Sequence, residues 1–373
     1  MTENTVDNSL TYRKKRSSGI DIVKIFAAVL VVVVHFFYHT GFYTSIPITG
    51  TEFLFPLGVL WIAYTCVPLF MIATGYLMNS KKLSKKYSKS MMKVIVLYLI
   101  CSTICMIYKR LHGQELNLWD ILRGYLRFSH SDYAWYVEQY IVMLLIIPFL
   151  NLAFNGLKSK RHHIALLATS IFLFSVAPVF FIGFDPEKQI KLFPEYINNG
   201  YPIAYYYLGC FIKRYPPKKT ASNKLFAASL AFGAMLFLAV TSYIQTQKNE
   251  GNYFHSYHFF NYCSYPVFAE AAGIFLLLFD IDIRNVAAAK VLSVLSETTL
   301  LTYLLSVIFD SRYYGTFNMK YQYPDFMLRF RHFHEIVPKV YIFSLISAFA
   351  VLIFYKLCGY TIIYLRQKRT EQT

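Results

Sequence analysis

Charged side chains are scarce in this chain of 373 residues, because Asp, Glu, Lys and Arg together make up 15% of it, against about 25% in ordinary soluble domains. Hydrophobic residues reach 56%, and several apolar runs are long enough to cross a bilayer. A composition shift that would mark a second domain is missing, and so is an internal repeat. The sequence therefore predicts an all-α, polytopic protein whose main partner is the lipid bilayer.

Cysteine patterns that carry chemistry are also missing. The six cysteines lie in or beside apolar segments, with no CxxC pair and no cluster in a loop. This excludes a disulfide framework and a zinc knuckle of the usual spacing. We expect no bound cofactor and no metal site.

Acidic residues are few, 20 against 37 Lys and Arg, which gives a net charge of +17. Such a charge invites a nucleic-acid hypothesis, but the distribution of the basic residues argues against it. If the N-terminus is cytoplasmic, the inner segments hold about 23 of the 37 basic residues and the outer loops about 11. That asymmetry is the positive-inside rule. It predicts two cytoplasmic termini and no nucleic-acid partner.

Ten transmembrane helices are predicted from the apolar runs, within one domain at 20–365 between a basic cytoplasmic tail at 1–19 and a second tail at 366–373. The basic start followed by an apolar run resembles a signal peptide, but the run is too long for one and contains two charged residues. We interpret it as an uncleaved first helix. The predicted helices cover 20–43, 56–78, 91–109, 135–154, 164–183, 200–212, 225–244, 262–279, 293–310 and 339–363.

The first helix carries ionisable residues at membrane depth. Lys24 and His35 are eleven residues apart, so at ~100° per residue they share one helix face and at ~1.5 Å per residue they lie ~16 Å apart. Asp21 falls on the same side. Asp21 could instead only begin the helix, Lys24 could extend its head back to the interface, and His35 could be a hydrogen-bonded structural residue. Ionisable residues inside a membrane are more often functional, and the shared face favours that interpretation.

This arrangement resembles the signature of the integral-membrane acyltransferase 3 family, in which the first helix carries an Asp, an Arg three residues later and a His further along. Lys24 stands here in place of the Arg, and Ser306 stands where a later family motif usually ends in His. Further resemblances cover nearly the whole chain: VPLFMIATGYLM (67–78), AWYVEQYIVMLLIIPFLN (134–151), YYYLGCFIKR (205–214) and the run LSETTLLTYLLS that ends at Ser306.

The resemblance implies a transferase that moves an acyl group, most often acetyl, from cytosolic acyl-CoA to a hydroxyl or amine of a carbohydrate-like acceptor. Acyl-CoA would then be a co-substrate, and the ~16 Å between Lys24 and His35 is comparable to an extended pantetheine arm. His35 is expected to act as a general base or as a transient acyl carrier, both recognised roles of imidazole. Acyl-CoA binding is expected of Asp21, Lys24, Lys89 and Lys93.

Acceptor binding is expected, on weaker grounds, of Trp135, Tyr136 and Glu138, although the aromatic pair is equally typical of the interfacial belt. His39 lies one turn beyond His35, which leaves a metal site as an alternative, but the remaining histidines are distant in sequence. The aromatic segment 311–338 is predicted to be an outer loop that either stacks on sugar rings or belongs to the belt.

The leading hypothesis is a multi-pass O-acyltransferase of the bacterial plasma membrane that acts on a cell-envelope saccharide. No hydrolase-like segment follows the tenth predicted helix, which favours a capsular, exopolysaccharide or lipid-linked oligosaccharide acceptor over peptidoglycan. A transporter or flippase of lipid-linked glycans is the main alternative, and it would use the Lys24 and His35 face as a relay. A polysaccharide polymerase is a third hypothesis, supported only by scattered outer arginines.

Overall fold

The computed structural model describes residues 17–43, 46–177, 192–255, 259, 261–322 and 325–370. These residues form thirteen α-helices, joined by short 3₁₀ turns and one π-helical turn at Phe172–Val176. The helices are α1 Ser18–His39, α2 Leu54–Tyr64, α3 Cys66–Met78, α4 Lys85–Leu111, α5 Leu118–Leu126, α6 Trp135–Gly156, α7 Lys160–Ile171, α8 Tyr201–Arg214, α9 Ala221–Lys248, α10 Tyr265–Leu278, α11 Val286–Lys320, α12 Phe326–Arg331 and α13 Phe333–Thr370.

Polar capping residues mark where several of the helices begin. The side chain of each cap accepts a hydrogen bond from a backbone N–H in the first turn, which satisfies a donor that the helix itself leaves unpaired. Short polar turns therefore separate the apolar runs and set their lengths. The caps are Ser84 for α4, Asn117 for α5, Ser159 for α7, Thr220 for α9 and Asn285 for α11.

Helix α1 lies at the centre of the bundle. Its run of Val, Ala, Leu and Phe is apolar on every side, which is typical of a helix that is surrounded by others. Helices α2, α3, α10, α11 and α13 all pack against it. Its contact with α11 is extensive and positions the candidate site described below.

The predicted helix at 56–78 is broken into α2 and α3 at Thr65. Pro68 has no N–H to donate to the carbonyl four residues earlier, so the helical ladder is interrupted there. Beyond the break, α3 crosses α8 closely where Gly75 faces the backbone of Tyr206 and Gly209 faces the backbone of Ile72. A side chain at either glycine would collide with the opposing backbone, so this approach depends on small residues, as in many membrane helix pairs.

Among the described residues, seven helical segments are long and apolar enough to cross a membrane, which supports a multi-pass, all-helical membrane protein. Helices α7, α8 and α10 fall where further spans were predicted but have only 12, 14 and 14 residues, so the count of ten spans and the orientation of the termini stay predictions. The seven segments are 18–39, 51–78, 85–111, 135–156, 221–248, 286–320 and 333–359.

Two segments that lie between predicted helices themselves contain helices. The segment 110–134 includes α5, which begins with a capping box between Asn117 and Asp120. The segment 311–338 is largely helical, because α11 continues ten residues past the predicted end and α12 follows. The last part of the predicted helix at 164–183 lies outside the described residues.

The turns between helices allow the predicted orientation to be tested. We expect alkaline phosphatase fused after Gly113 or Gln322 to be active, because these turns lie on the face with few basic residues, and the same reporter fused after Lys82 or Lys218 to be inactive. Green fluorescent protein at the same positions should give the opposite pattern. Strong phosphatase activity at Lys82 would contradict the orientation.

Candidate active site

Helices α1 and α11 run parallel and contact each other at two levels. The inner contact joins Lys24 to Ser296, and the outer contact joins His35 to Asp310. On α11, Ser296, Tyr303 and Asp310 recur every seven residues, which is close to two full turns and places them along one stripe. The face that Lys24 and His35 were predicted to share is therefore the face that packs on α11.

At the inner level, the Lys24 ammonium donates to the backbone carbonyl of Ser296 at 2.7 Å and to its hydroxyl at 3.0 Å. Both contacts go to one residue of α11, so the ammonium fixes α1 to α11 at this level. Lys24 is half-buried and Asp21, one turn earlier on α1, is buried. A cation is thus held at membrane depth, next to a buried carboxyl group on the same helix.

A cavity of about 210 Å³ begins at this contact and extends along α1 toward the outer level. Helices α1, α3, α4, α6 and α11 form its walls, and Tyr136 and Tyr303 line it together with Lys24, Ser296 and Glu297. A narrow, largely apolar space of this kind suits a flexible chain better than a sugar. The other lining residues are Val31, Val67, Phe70, Ala73, Thr74, Leu77, Met78, Val94, Tyr140, Thr299 and Leu300.

At the outer level, Nδ1 of His35 lies 3.3 Å from Oδ2 of Asp310, whose side chain is completely buried. The imidazole also stacks on Tyr133, with ring centroids 3.7 Å apart. Nδ1 makes no hydrogen bond of good geometry, but a negative charge 3.3 Å away favours the tautomer with its hydrogen on Nδ1, which leaves the Nε2 lone pair available. This is the arrangement that a general base requires.

Tyr133 joins the second histidine to the same carboxylate. Its hydroxyl donates to Oδ2 of Asp310 at 2.6 Å and lies 2.6 Å from Nε2 of His39. Since the hydroxyl has a single hydrogen, His39 must be the donor in the second contact. His39 is therefore a hydrogen-bonded residue that supports the pair, and among the described residues no group of three metal-ligating side chains with site geometry occurs.

The loop that carries Tyr133 and the outer end of α1 are both fixed to neighbouring helices. Tyr303 donates its hydroxyl to the Tyr133 carbonyl. Asn318 donates to the carbonyl of His39 at 2.8 Å, and the fully buried Arg329 donates to that of Thr40 at 2.8 Å. These donors satisfy carbonyls at the end of α1 that have no intrahelical partner. The positions of both histidines follow from this anchoring.

The aromatic residues of 311–338 mostly pack inside the protein, so the hypothesis that this segment stacks on sugar rings is wrong for them. Phe36 and Phe37 of α1 are fully buried and form the centre of this cluster. Aromatic edge-to-face and tilted contacts of this kind add to the stabilisation that burial gives. The residues around them are Phe317, Phe326, Phe330 and Phe333.

The other predicted donor-site residues fall in different places. Lys93 lies at the inner mouth of the cavity, with its ammonium 3.3 Å from Glu297. Lys89 is exposed one turn earlier on α4. The role expected for each in acyl-CoA binding stays a prediction.

The predicted acceptor residues are likewise separated. Tyr136 is buried in the cavity wall, Glu138 is exposed near the start of α6, and Trp135 is half-exposed against Tyr262. Their roles also stay predictions.

Sequence reasoning missed Asp310, Tyr133 and Glu297. Asp310 carries the same signal as Lys24 and His35, an ionisable residue within an apolar run, at the end of the predicted helix 293–310. Tyr133 carried no such signal, since it is one of 32 tyrosines and only the folded loop brings it to His35.

We expect ¹⁵N-histidine NMR of the purified protein to show His35 with its hydrogen on Nδ1. Replacing Asp310 by Leu removes this negative charge and should shift the hydrogen to Nε2, whereas Asp132→Leu, at an exposed neighbouring carboxylate, should leave the tautomer unchanged. The His35 signal is assigned by its loss in His35→Ala. A wild-type His35 with its hydrogen on Nε2 would contradict the proposed orientation by Asp310.

A family model with the description "Acyltransferase domain" matches residues 17–357, nearly the whole chain. The match includes both levels of the site, from Lys24 to Asp310. Searches of curated proteins and of solved structures gave no significant match.

Proposed function

The chain belongs to the acyltransferase 3 family, and we propose on that basis that it is an O-acyltransferase. It takes an acyl group, foremost acetyl, from cytosolic acyl-CoA and transfers it to a hydroxyl of a cell-envelope saccharide. The observation that carries this proposal is the cavity that starts at the Lys24 ammonium and extends along α1 to Val31, one turn before His35. Its inner end suits a phosphate, and its outer end lies one helical turn from the proposed base.

The donor enters from the inner level in this proposal. Coenzyme A is polyanionic, and Lys24 and Lys93 place ammonium groups at the cavity mouth; Asp21 and Lys89 belong to the same region of α1 and α4. The apolar cavity then receives the pantetheine arm and acyl group, whose amide and thioester need few polar partners. Tyr136 lines this cavity and would contact the acyl chain, although it was expected to bind the acceptor.

Transfer at the outer level uses His35 as general base. Its Nε2 takes the proton of the acceptor hydroxyl while the hydroxyl oxygen attacks the thioester carbonyl. The C–S bond then breaks, and the departing sulfur takes the proton back from the imidazolium, so ester and free CoA are formed. Asp310 stabilises the imidazolium between these steps, as a buried aspartate does beside a catalytic histidine in other enzymes. His35 as transient acyl carrier is the alternative, in which the acyl group first bonds to Nε2.

The acceptor would approach from the outer side, where His35 and His39 have 12% and 24% of their side chains exposed. Trp135 and Glu138 are exposed on that side and remain the candidate acceptor residues. A capsular, exopolysaccharide or lipid-linked oligosaccharide hydroxyl in the envelope of a bacterium fits this direction of entry, with the protein in the plasma membrane.

A transporter or flippase would also use buried charges, and the break at Thr65 within one span resembles the broken helices of transporters. Loss of a cellular phenotype therefore does not distinguish the two functions. Acyl transfer measured with purified protein does distinguish them, because a transporter would not catalyse it.

We expect His35→Ala to lower transfer of labelled acetyl from acetyl-CoA to an envelope-saccharide acceptor at least 100-fold in purified protein, since general acid–base assistance typically contributes 10²–10⁴-fold. His39→Ala should cost less, because His39 acts through Tyr133. Wild-type protein that transfers no label would contradict the proposed acyltransferase activity. Normal transfer by His35→Ala would exclude His35 from the mechanism. Label that accumulates on wild-type protein without acceptor, and not on His35→Ala, would establish the acyl carrier.

We expect Lys24→Ala to raise the acetyl-CoA concentration needed for half-maximal rate about tenfold, since a charge-assisted hydrogen bond contributes about 1.5–3 kcal/mol. Asp21→Ala should also impair the enzyme, whereas Lys24→Arg should retain function because the charge is kept. Lys320→Ala, at the other end of α11, is the matched control and should leave the acetyl-CoA dependence unchanged. An unchanged dependence in Lys24→Ala would exclude a phosphate-binding role.

A further inference from the structure

Glu297 occupies the inner mouth of the cavity and bridges two lysines from different helices. Its Oε1 lies 3.3 Å from the Lys93 ammonium of α4, and its Oε2 lies 3.0 Å from the Lys356 ammonium of α13. Each carboxylate oxygen therefore takes one cation. Neither Glu297 nor Lys356 was expected from the sequence to take part in the site.

The third ammonium group of the mouth is next to this bridge. Lys24 donates to Ser296, the residue that precedes Glu297 on α11. Lys24, Lys93 and Lys356 thus converge from three helices on two consecutive residues of a fourth. Lys93 and Lys356 against the single carboxylate of Glu297 leave a net charge of about +1 at the bridge, which favours an anion.

We propose that Lys356 is a further phosphate ligand of the acyl-CoA donor. In the absence of donor the Glu297 carboxylate pairs with Lys93 and Lys356, and a donor phosphate then replaces it in an exchange of one anion for another. The inference rests on the proposed function, since it presumes a CoA thioester as donor. It assigns two residues that act on donor affinity and take no part in the acyl transfer itself.

The exposure of the three side chains supports such an exchange. Lys93, Lys356 and Glu297 have 40%, 46% and 32% of their side chains exposed, so an anion from the cytosol can reach the lysines and Glu297 can turn toward water. Ion pairs at this level of exposure contribute little to stability. A phosphate with several charge-assisted hydrogen bonds can therefore replace them.

The exchange also has a consequence for product release. After transfer, free CoA keeps its phosphates and would remain on a mouth made only of lysines. A carboxylate tethered beside the lysines competes for them at a high local concentration and repels the phosphate by like charge. Glu297 therefore weakens donor and product binding together and shortens the time that CoA remains bound.

The experiment measures binding of CoA to the purified full-length protein in detergent by titration calorimetry at low salt. We expect Glu297→Gln to bind CoA about tenfold more tightly than wild type, because the lysines stay in place and lose their competitor. We expect Lys356→Gln to bind about tenfold more weakly. Both differences should shrink at high salt, since exposed charges are then screened.

Glu335→Gln is the matched control. Glu335 is another half-exposed carboxylate, 3.1 Å from the Lys320 ammonium and 2.8 Å from His332 at the opposite end of the bundle, and its replacement should leave CoA affinity unchanged. Size-exclusion profiles and thermal transitions of each variant check that it folds. Lys356→Gln tests the proposal independently if Glu297→Gln does not fold.

Each outcome separates the two proposals. CoA binding by wild type with unchanged or weaker binding by Glu297→Gln overturns the role of Glu297, and unchanged binding by Lys356→Gln overturns that of Lys356, while the donor assignment stands. If Glu335→Gln binds CoA as much more tightly as Glu297→Gln does, the effect comes from the net charge of the protein, and the specific exchange at Glu297 is overturned. No CoA binding by wild type or any variant overturns both the acyl-CoA donor and this inference.

Discussion

The parallel packing of α1 on α11 is the contact on which the site depends. It brings Lys24 to Ser296 at one level and His35 to Asp310 at the other. Helices α3, α4 and α6 close around the same pair and enclose the cavity that runs from Lys24 to Val31, one turn before His35. Since helices are stiff over this length, a shift of α1 along α11 would move both levels together. The cation and the base are therefore coupled through one rigid element.

Burial of Asp310 imposes the second constraint. An isolated carboxylate in this environment is costly, and its cost is offset by the Tyr133 hydroxyl and by the histidine pair. That compensation holds only while the end of α1 stays in place, which is the role of Asn318 and Arg329. The outer aromatic packing thus stabilises the chemistry, although none of its rings lies in the site.

The sequence was sufficient to predict what a single helix determines. Lys24 and His35 share a face because of their spacing, and that face does pack on one partner helix. The multi-pass fold followed from composition, while the break at Thr65 could have been inferred from Pro68. The partners could not be predicted in the same way, because Ser296, Asp310 and Tyr133 are far from α1 in sequence. Asp310 alone carried a signal, its charge within an apolar run.

The two levels meet different physical demands. At the outer level the imidazole must keep one orientation, and it is held by buried partners that leave it little freedom. At the inner level a polyanion must bind and later leave, which requires contacts that exchange with water; the half-exposed lysines and Glu297 provide them. A lysine at position 24 suits this division, because its ammonium holds Ser296 and keeps a positive charge at the cavity. Rigid chemistry and reversible donor capture are thus separated along a single helix.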